Sequence, residues 1–296
     1  MRAFDYRAPS TVGEAVALLV EKVDRARPFA GGTDILVQVR AGRLDLDLLV
    51  DVKRIPELSQ LAYDPATGLT VGAAVPCHRI YEDPQIREAF PGLVDSAAII
   101  GGTGIQGRAT LGGNLCNSSP SADSIPALIV LGATCAIVGP SGARTVPVER
   151  FCTGPGRNVL APGEMLVSIH LPPPKPRSGA RYLRFIPRNE MDIAVVGVGA
   201  SVVLSEDLAR ITAARIALGA VAPTPLLAED AGASLVGKPP SEETIAEAAA
   251  LAREAARPIT DVRGTAAQRR HLVGVLAKRA LRGAIQRAGG STGNHS

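Results

Sequence analysis

Short apolar stretches separated by polar turns run through the first half of the chain. Thr11-Val-Gly-Glu14 has the spacing of a capping box, and the apolar positions after it predict a first helix. A strand at 28–30, a glycine turn and a helix beginning near Asp34 follow, and the apolar run 48–52 predicts a buried strand. The other elements predicted here are a strand at 69–73, a mixed helical region over 76–100, a short helix at 127–131, a hairpin of 134–138 with 144–148, and a strand at 165–171.

The second half of the chain orders its elements differently. Pro172-Pro-Pro-Lys-Pro-Arg-Ser-Gly179 predicts a stiff linker. Strands followed by helices are typical of an antiparallel sheet packed on helices. The predicted elements are strands at 182–186, 193–204 and 211–221 and helices at 242–256 and 266–286. We therefore predict an α+β fold with two α/β subdomains over 1–57 and 58–175, a C-terminal α+β domain over 176–290, and a flexible tail at 291–296.

Composition and charge narrow the function classes. Aromatic residues make up 3% of the chain and Trp is absent, so the chain lacks rings on which single-stranded nucleic acid would stack, and we expect no nucleic-acid partner. The net charge is +4. Basic residues between Arg263 and Arg287 alternate with apolar ones at helical spacing, which indicates a solvated helix face or a docking surface for a partner.

Cysteine usage and hydropathy exclude further classes. The four cysteines contain no CxxC pair, so we expect no zinc or iron–sulfur site within this chain. Few cysteines and no signal-peptide pattern predict a cytoplasmic protein. No apolar run reaches the ~18 residues of a membrane helix, so no membrane span is predicted. We find no general acid–base pair or nucleophile, and therefore predict no catalytic residue in this chain.

Two glycine loops carry the candidate chemistry. They are Ala30-Gly-Gly-Thr-Asp34 and Thr110-Leu-Gly-Gly-Asn114. Glycine lets a backbone approach a phosphate closely, and successive free N–H groups form a nest for anions. The hydroxyls of Thr33 and Thr110 add side-chain donors, and Asp123 in Ser119-Pro-Ser-Ala-Asp123 suits a ribose diol. This pattern predicts one extended dinucleotide held by both loops.

A third glycine cluster, Gly102-Thr-Gly104-Ile-Gln-Gly107, matches the GxGxxG pattern of Rossmann folds. A true fingerprint follows a strand and opens an apolar helix. Here the chain continues into Arg108, Thr110 and two more glycines, which favour helix poorly. We therefore interpret 101–114 as an extended coil that carries a ligand, with a classical NAD-binding Rossmann domain as the alternative.

The two loops resemble, almost position by position, the paired flavin motifs of the FAD-binding subunit of the molybdenum hydroxylases, the family of xanthine dehydrogenase and carbon monoxide dehydrogenase. Pro258-Ile-Thr-Asp261-Val-Arg263-Gly264-Thr-Ala is similar to that family's C-terminal domain. The resemblance implies two FAD-binding subdomains (PCMH-type) and bound FAD in this chain. It also implies a small partner subunit with [2Fe-2S] clusters, a large partner with the molybdopterin cofactor, and a dimer of such heterotrimers.

The resemblance also assigns the cofactor-binding residues. The first loop would hold the FAD pyrophosphate, the second would complete the cradle, and Asp123 would meet the adenosine ribose. Ile100 stands where some relatives carry an aromatic ring, while Leu166, Arg184 and Asp192 would lie near the flavin. The full predicted set is Ala30, Gly31, Gly32, Thr33, Asp34, Ile100, Thr110, Gly113, Asn114, Asp123, Leu166, Arg184 and Asp192.

The implied function is electron transfer from the [2Fe-2S] clusters through FAD to an external acceptor such as a quinone, oxygen or NAD. The absent cysteine cluster argues against relatives whose flavin subunit holds an extra iron–sulfur cluster. It favours hydroxylases of the carbon monoxide, aldehyde, purine or N-heterocycle type. Two other classes stay open: a stand-alone NAD-dependent oxidoreductase that uses the third glycine cluster, and a non-enzymatic assembly subunit.

Overall fold

The computed structural model describes residues 3–188 and 191–292. The first part of the chain forms a parallel sheet. Its three strands pair in the order first, third, second, so that the carboxyl ends of the second and third lie side by side. The predicted capping box is present in part: the Thr11 hydroxyl accepts from the Glu14 N–H at 3.2 Å, while the Glu14 carboxylate accepts from the Ser10 N–H at 2.9 Å. The elements are β1 (Asp5–Arg7), α1 (Val12–Lys22), β2 (Ala26–Phe29), α2 (Ile35–Arg40), β3 (Leu48–Asp51) and α3 (Pro56–Ser59), with a 3₁₀ turn at Val23–Arg25.

A five-stranded antiparallel sheet with helices follows. The elements are β4 (Leu61–Asp64), β5 (Gly68–Gly72), α4 (Cys77–Glu82), α5 (Pro84–Ala89), α6 (Pro91–Ala97), α7 (Thr103–Gln106), α8 (Leu111–Asn117), α9 (Ser124–Val130), β6 (Thr134–Gly139), β7 (Gly142–Pro147), a 3₁₀ turn at Val148–Arg150, β8 (Cys152–Gly154), β9 (Arg157–Asn158) and β10 (Met165–Leu171). The sheet order is β4-β5-β10-β6-β7. The predicted α/β character therefore holds for the first sheet, whereas hairpins β4–β5 and β6–β7 flank β10 and make every pairing of the second antiparallel.

The last part of the chain is an antiparallel sheet covered by helices, as predicted. Its elements are β11 (Ser178–Phe185), β12 (Val196–Leu204), β13 (Ile211–Gly219), β14 (Leu226–Leu227), α10 (Glu229–Ala233), α11 (Glu242–Ala255) and α12 (Ala266–Arg287). The strands pair in sequence order, and Ile216, Leu218, Ala277 and Leu281 are among the residues of a separate core beneath them. Ser241 and Thr265 cap α11 and α12 through their hydroxyls. The predicted α+β class is confirmed.

The first two sheets share one hydrophobic core. Leu19 of α1 and Val50 of β3 belong to the same buried cluster as Val71 of β5 and Ile169 of β10. The predicted boundaries at 57/58 and 175/176 stay predictions, and residues 293–296 of the predicted tail lie outside the described residues.

Helix α9 joins this core to the C-terminal sheet. It packs on β12 and β13, where two glycines let the backbone come close: a Cβ at Gly199 would lie 2.7 Å from the Pro126 carbonyl oxygen, and one at Gly219 would lie 3.0 Å from the Pro126 ring. The Ser201 hydroxyl also donates to the Val130 carbonyl at 2.8 Å. The segment that precedes and includes α9 is thus fixed between the two halves of the chain.

The expected extended coil over 101–114 is wrong, because this stretch contains α7 and the start of α8. The Thr110 hydroxyl accepts from the Gly113 N–H at 2.8 Å and caps α8. Gly112 packs so closely on Ala73 that a Cβ would lie 2.5 Å from its carbonyl oxygen. Capping and close packing therefore outweigh the low helix propensity of the two glycines.

Among the residues that the structure describes, no helix is long and apolar enough to cross a membrane. The same residues contain no group of three or more His, Cys, Asp or Glu side chains that could hold a metal ion.

Candidate functional site

The two predicted glycine loops line one cavity of about 660 Å³. That volume falls within the range of small-molecule and cofactor sites, roughly 300–1,000 Å³. Most of the predicted site residues lie on its walls. They are Ala30, Gly31, Gly32, Thr33, Asp34, Ile100, Thr110, Gly113, Asn114 and Leu166.

The first loop and the helix after it contact the segments on either side of the second loop. The Arg108 side chain donates to the Gly31 carbonyl at 3.4 Å, and the Gln38 amide donates to the Asn117 side chain at 3.0 Å. A Cβ at Gly31 would lie only 1.9 Å from the Arg108 carbonyl oxygen. The close approach of the first loop to Arg108, two residues before the second loop, therefore requires glycine at position 31.

The first loop presents unused backbone donors. Within residues 3–188 and 191–292, none of the N–H groups from Gly31 to Ile35 donates to a protein acceptor. These groups lead into the first turn of α2, where free N–H groups carry partial positive charge. Gly32 takes φ +78°, which brings successive N–H groups into the concave arrangement that binds anions. The loop thus fits a pyrophosphate, the charged centre of FAD.

The two glycines of the second loop have different surroundings: one packs against the protein and the other lines the cavity. Gly112 contacts Ala73, whereas a Cβ at Gly113 would meet only the Thr110 hydroxyl, at 3.0 Å. Gly113 thus leaves its side-chain position open towards the cavity. Asn114 lines the wall too, and its side-chain oxygen accepts from the Ser124 hydroxyl at 2.6 Å, which ties α8 to the start of α9.

Asp34 is the acidic group of the first loop and faces the open cavity. The surrounding walls desolvate its carboxyl group and raise its pKa. Two other carboxylates, Asp24 and Glu164, lie on the walls. Glu164 is held by Arg144 at 2.7 Å, and this hydrogen bond lowers its pKa. The raised pKa of Asp34 favours its neutral form and so reduces its repulsion towards an anionic ligand.

Three predicted residues lie away from the cavity walls. Asp123 and Arg184 form a buried ion pair at 2.6 Å, and the Tyr182 hydroxyl donates to the other Asp123 oxygen at 2.9 Å. Burial raises the pKa of Tyr182 well above its usual value, which keeps this hydroxyl protonated. Asp192 sits in a surface loop, where it accepts from Arg188 at 3.2 Å. Their predicted contacts with FAD stay predictions.

The third glycine cluster lies in a short helical segment that packs through Gln106. Gln106 is buried, donates to the Ala98 carbonyl at 2.7 Å and accepts from the Tyr81 hydroxyl at 2.9 Å. Side chains added at Gly104 and Gly107 would meet nothing within 4 Å, and neither glycine lines the cavity. The element directly before α7 is helix α6 and not a strand, so the context that a Rossmann fingerprint needs is missing from this segment.

A further part of the wall comes from 153–164, which sequence reasoning largely missed. Asn158 fixes this segment: its amide donates to the Cys116 carbonyl at 2.9 Å, and its oxygen accepts from the Leu160 N–H at 3.1 Å. Arg157 beside it brings a cation to the wall. The available signal was the pair of glycine–proline turns, Gly154-Pro-Gly156 and Ala161-Pro-Gly163, which mark an irregular segment without indicating what it covers.

We expect Gly31→Ala to separate the loops and weaken FAD binding. The added methyl group overlaps the Arg108 carbonyl, and relieving such overpacking costs roughly 1–3 kcal/mol of folding stability. Urea unfolding together with an FAD titration would measure both effects. Gly104→Ala is the matched control, because its side-chain position is open. Normal stability and FAD affinity in Gly31→Ala would contradict the assigned contact.

Comparison with known families agrees with this geometry. A family model described as the FAD binding domain in molybdopterin dehydrogenase matches residues 2–174. A second model, the CO dehydrogenase flavoprotein C-terminal domain, matches residues 181–284. Both glycine loops fall within the first match, and the C-terminal antiparallel sheet with its helices falls almost entirely within the second.

Individual relatives match nearly the whole chain. The carbon monoxide dehydrogenase medium chain of Afipia carboxidovorans is 33% identical over 97% of this chain and 98% of that protein. The xanthine dehydrogenase FAD-binding subunit of Escherichia coli O157:H7 is 31% identical over 96% of this chain and 97% of that protein.

Solved structures give the same result. Reconstituted CO dehydrogenase from Oligotropha carboxidovorans superimposes with a TM-score of 0.92 at 30% identity, covering 97% of this chain and 99% of that one. Quinoline 2-oxidoreductase from Pseudomonas putida 86 gives a TM-score of 0.89 at 32% identity, covering 97% and 98%. The family models and these relatives span nearly the full length of this chain. The chain therefore belongs to the FAD-binding medium subunits of oxidoreductases of the xanthine dehydrogenase and carbon monoxide dehydrogenase type.

Proposed function

We propose that this chain passes electrons from [2Fe-2S] clusters in a small partner subunit through FAD to an external acceptor. A large partner subunit with the molybdopterin cofactor would hydroxylate the substrate and supply those electrons. The observation that carries the proposal is the cavity bounded by both glycine loops, with its row of free N–H groups, in a chain that matches medium subunits over nearly its whole length. FAD supplies the redox chemistry, and the protein binds and orients it.

The contacts support the following roles for the parts of the chain. The first loop would bind the pyrophosphate through its N–H groups, and Gly113 would let the second loop approach the same ligand. The wall segment 153–164 would also cover part of the cofactor and limit its contact with water. The subdomains proposed for these roles are 1–57 and 58–175, with 176–290 as the C-terminal domain.

The complex proposed here is a heterotrimer that dimerises further in the cytoplasm. Its substrate class is carbon monoxide, an aldehyde, a purine or an N-heterocycle, and the substrate pocket would lie in the large subunit. The physiological acceptor is a quinone, oxygen, NAD or another oxidant.

Affinity purification of the tagged chain from its native host tests this proposal. We expect two co-purifying chains, and about four iron atoms and about one molybdenum atom for each released FAD, as two [2Fe-2S] clusters and one molybdopterin cofactor require. Anaerobic mixing of the substrate-reduced complex with each candidate acceptor would then identify the oxidant from the rate at which the flavin absorbance returns. A chain that purifies alone and reduces NAD without flavin would instead support the stand-alone oxidoreductase, and a chain without FAD in the intact complex would support the assembly subunit.

A further inference from the structure

A connected group of side chains lies behind the first glycine loop, outside the cavity walls. The Tyr6 hydroxyl donates to Asp51, whose other oxygen accepts from the Lys53 ammonium at 2.7 Å. The same ammonium donates to the Ala30 carbonyl at 3.3 Å and lies 4.4 Å from the centre of the Phe29 ring. Lys53 therefore contacts an anion, a backbone carbonyl and an aromatic face at once.

Strand register explains how this group is assembled. Phe29 and Asp51 end the parallel strands β2 and β3 and lie opposite each other. The chain enters the glycine loop directly after Phe29, and Lys53 stands two residues beyond Asp51. Burial favours the neutral form of Asp51, but hydrogen bonds from Lys53 and Tyr6 outweigh it and lower the pKa. The ionised carboxylate then holds the Lys53 ammonium beside the loop.

The contact with Ala30 orients the loop. In a trans peptide the C=O of one residue and the N–H of the next point in opposite directions. Because Lys53 lies outside the cavity walls, its hydrogen bond with the Ala30 carbonyl favours a peptide orientation in which the Gly31 N–H points the opposite way, towards the cavity that Gly31 lines. The Arg108 side chain donates a hydrogen bond to the Gly31 carbonyl at 3.4 Å and in the same way orients the Gly32 N–H.

The contact with Phe29 supports the next residue of the loop. A Cβ at Gly32 would lie 2.6 Å from the Phe29 ring, so this glycine rests directly on the ring. The Tyr6 ring meets Phe29 edge-on at 6.4 Å, and Lys53 covers it through a cation–π contact. The position of Gly32 thus depends on a ring that Tyr6 and Lys53 hold.

We propose that Lys53 is a positioning residue for FAD: it holds the first glycine loop in the conformation that aims its N–H groups at the pyrophosphate. Although Asp51 is only 7% exposed, water screens the charge of Lys53, whose side chain is 40% exposed, so Lys53 contributes less to folding stability than a partner in a fully buried ion pair. Its main effect is therefore on the cofactor. The inference concerns FAD binding alone and is independent of the partner subunits and the acceptor.

The test is a titration of the flavin-depleted full chain with FAD, in which the quenching of flavin fluorescence measures binding. We expect Lys53→Met to raise the FAD dissociation constant about tenfold, the effect of losing one hydrogen bond to a charged group. Lys53→Arg retains the charge and a donor and should restore most of the affinity. Arg54→Met is the matched control, since the neighbouring Arg54 is exposed and donates no hydrogen bond to the loop within the described residues. It should change the constant less than about twofold.

Urea unfolding of the same flavin-depleted variants separates positioning from stability. Wild-type-like unfolding of Lys53→Met, together with weakened FAD binding, supports the proposal. An unchanged dissociation constant in Lys53→Met would overturn it. An equal loss of FAD affinity in Lys53→Met and Arg54→Met would also overturn it, because it would indicate a general effect of charge. A Lys53→Arg variant as weak as Lys53→Met would overturn it too.

Discussion

Gly113→Val is expected to abolish FAD binding while leaving the fold intact. The new side chain would project into the cavity from the second glycine loop, where a Cβ meets no protein atom within 4 Å except the Thr110 hydroxyl, at 3.0 Å. Valine is no worse than glycine in a helix, so α8 should persist. The methyl groups would occupy the space through which the backbone approaches the ligand. We expect the FAD dissociation constant to rise about 100-fold or more, which corresponds to about 2.7 kcal/mol.

The measurement is the visible spectrum and released-FAD content of the purified protein, followed by titration with added FAD. Gly107→Ala is the control, because Gly107 belongs to the third glycine cluster, has helical backbone angles and has open space at its side-chain position. It should bind FAD normally. Wild-type FAD occupancy in a folded Gly113→Val protein would remove the second loop from the cofactor site.

Arg184→Met is expected to destabilise the protein by about 3–5 kcal/mol, the cost of leaving a buried charge without its partner. Asp123 lies before α9 and Arg184 on β11, so their ion pair connects the two halves of the chain. The two side chains are only 11% and 8% exposed, respectively. After the substitution, Tyr182 alone would remain to neutralise the Asp123 carboxylate, and a neutral hydroxyl does so incompletely.

Urea unfolding of the flavin-depleted variants would measure this effect. Arg188→Met is the matched control, since Arg188 pairs with Asp192 at the surface and its side chain is 78% exposed. It should change stability by less than about 0.5 kcal/mol. Asp123→Asn combined with Arg184→Met should recover part of the loss because no uncompensated charge remains. A single Arg184→Met variant as stable as Arg188→Met would show that the pair is not a buried link between the halves.

The same variants address the predicted contact between Asp123 and the adenosine ribose. If that contact exists, Asp123→Ala weakens FAD binding by roughly 1–3 kcal/mol, the value of a buried polar contact. Equal FAD affinity in the wild type and in the Asp123→Asn, Arg184→Met double variant would show that Asp123 acts only in the ion pair between the two halves of the chain. The FAD titration used for Gly113→Val gives this answer directly.

Local chemistry determined much of this protein from its sequence. The Thr11 cap, the apolar run 165–171 and the strand-rich, then helix-rich order after residue 178 all depend on neighbouring residues, and the structure confirms each. The glycine loops belong to the same class. Glycine permits the positive-φ backbone conformations in which successive N–H groups form an anion-binding nest, so both loops could be predicted to bind one ligand before any contact was known.

Tertiary structure decided what depends on residues far apart in the chain. The low helix propensity of Gly112 and Gly113 predicts coil at the start of α8. Packing on Ala73 and the Thr110 cap instead stabilise a helix there. Asp123 could be recognised as a polar residue near a glycine loop, but its pairing with Arg184 depends on how α9 meets β11. Lys53 carries no motif at all, and only the parallel register of β2 and β3 places its ammonium beside the Ala30 carbonyl. Backbone preferences act over a few residues and can be read along the chain, while these long-range contacts exist only once the sheets have formed.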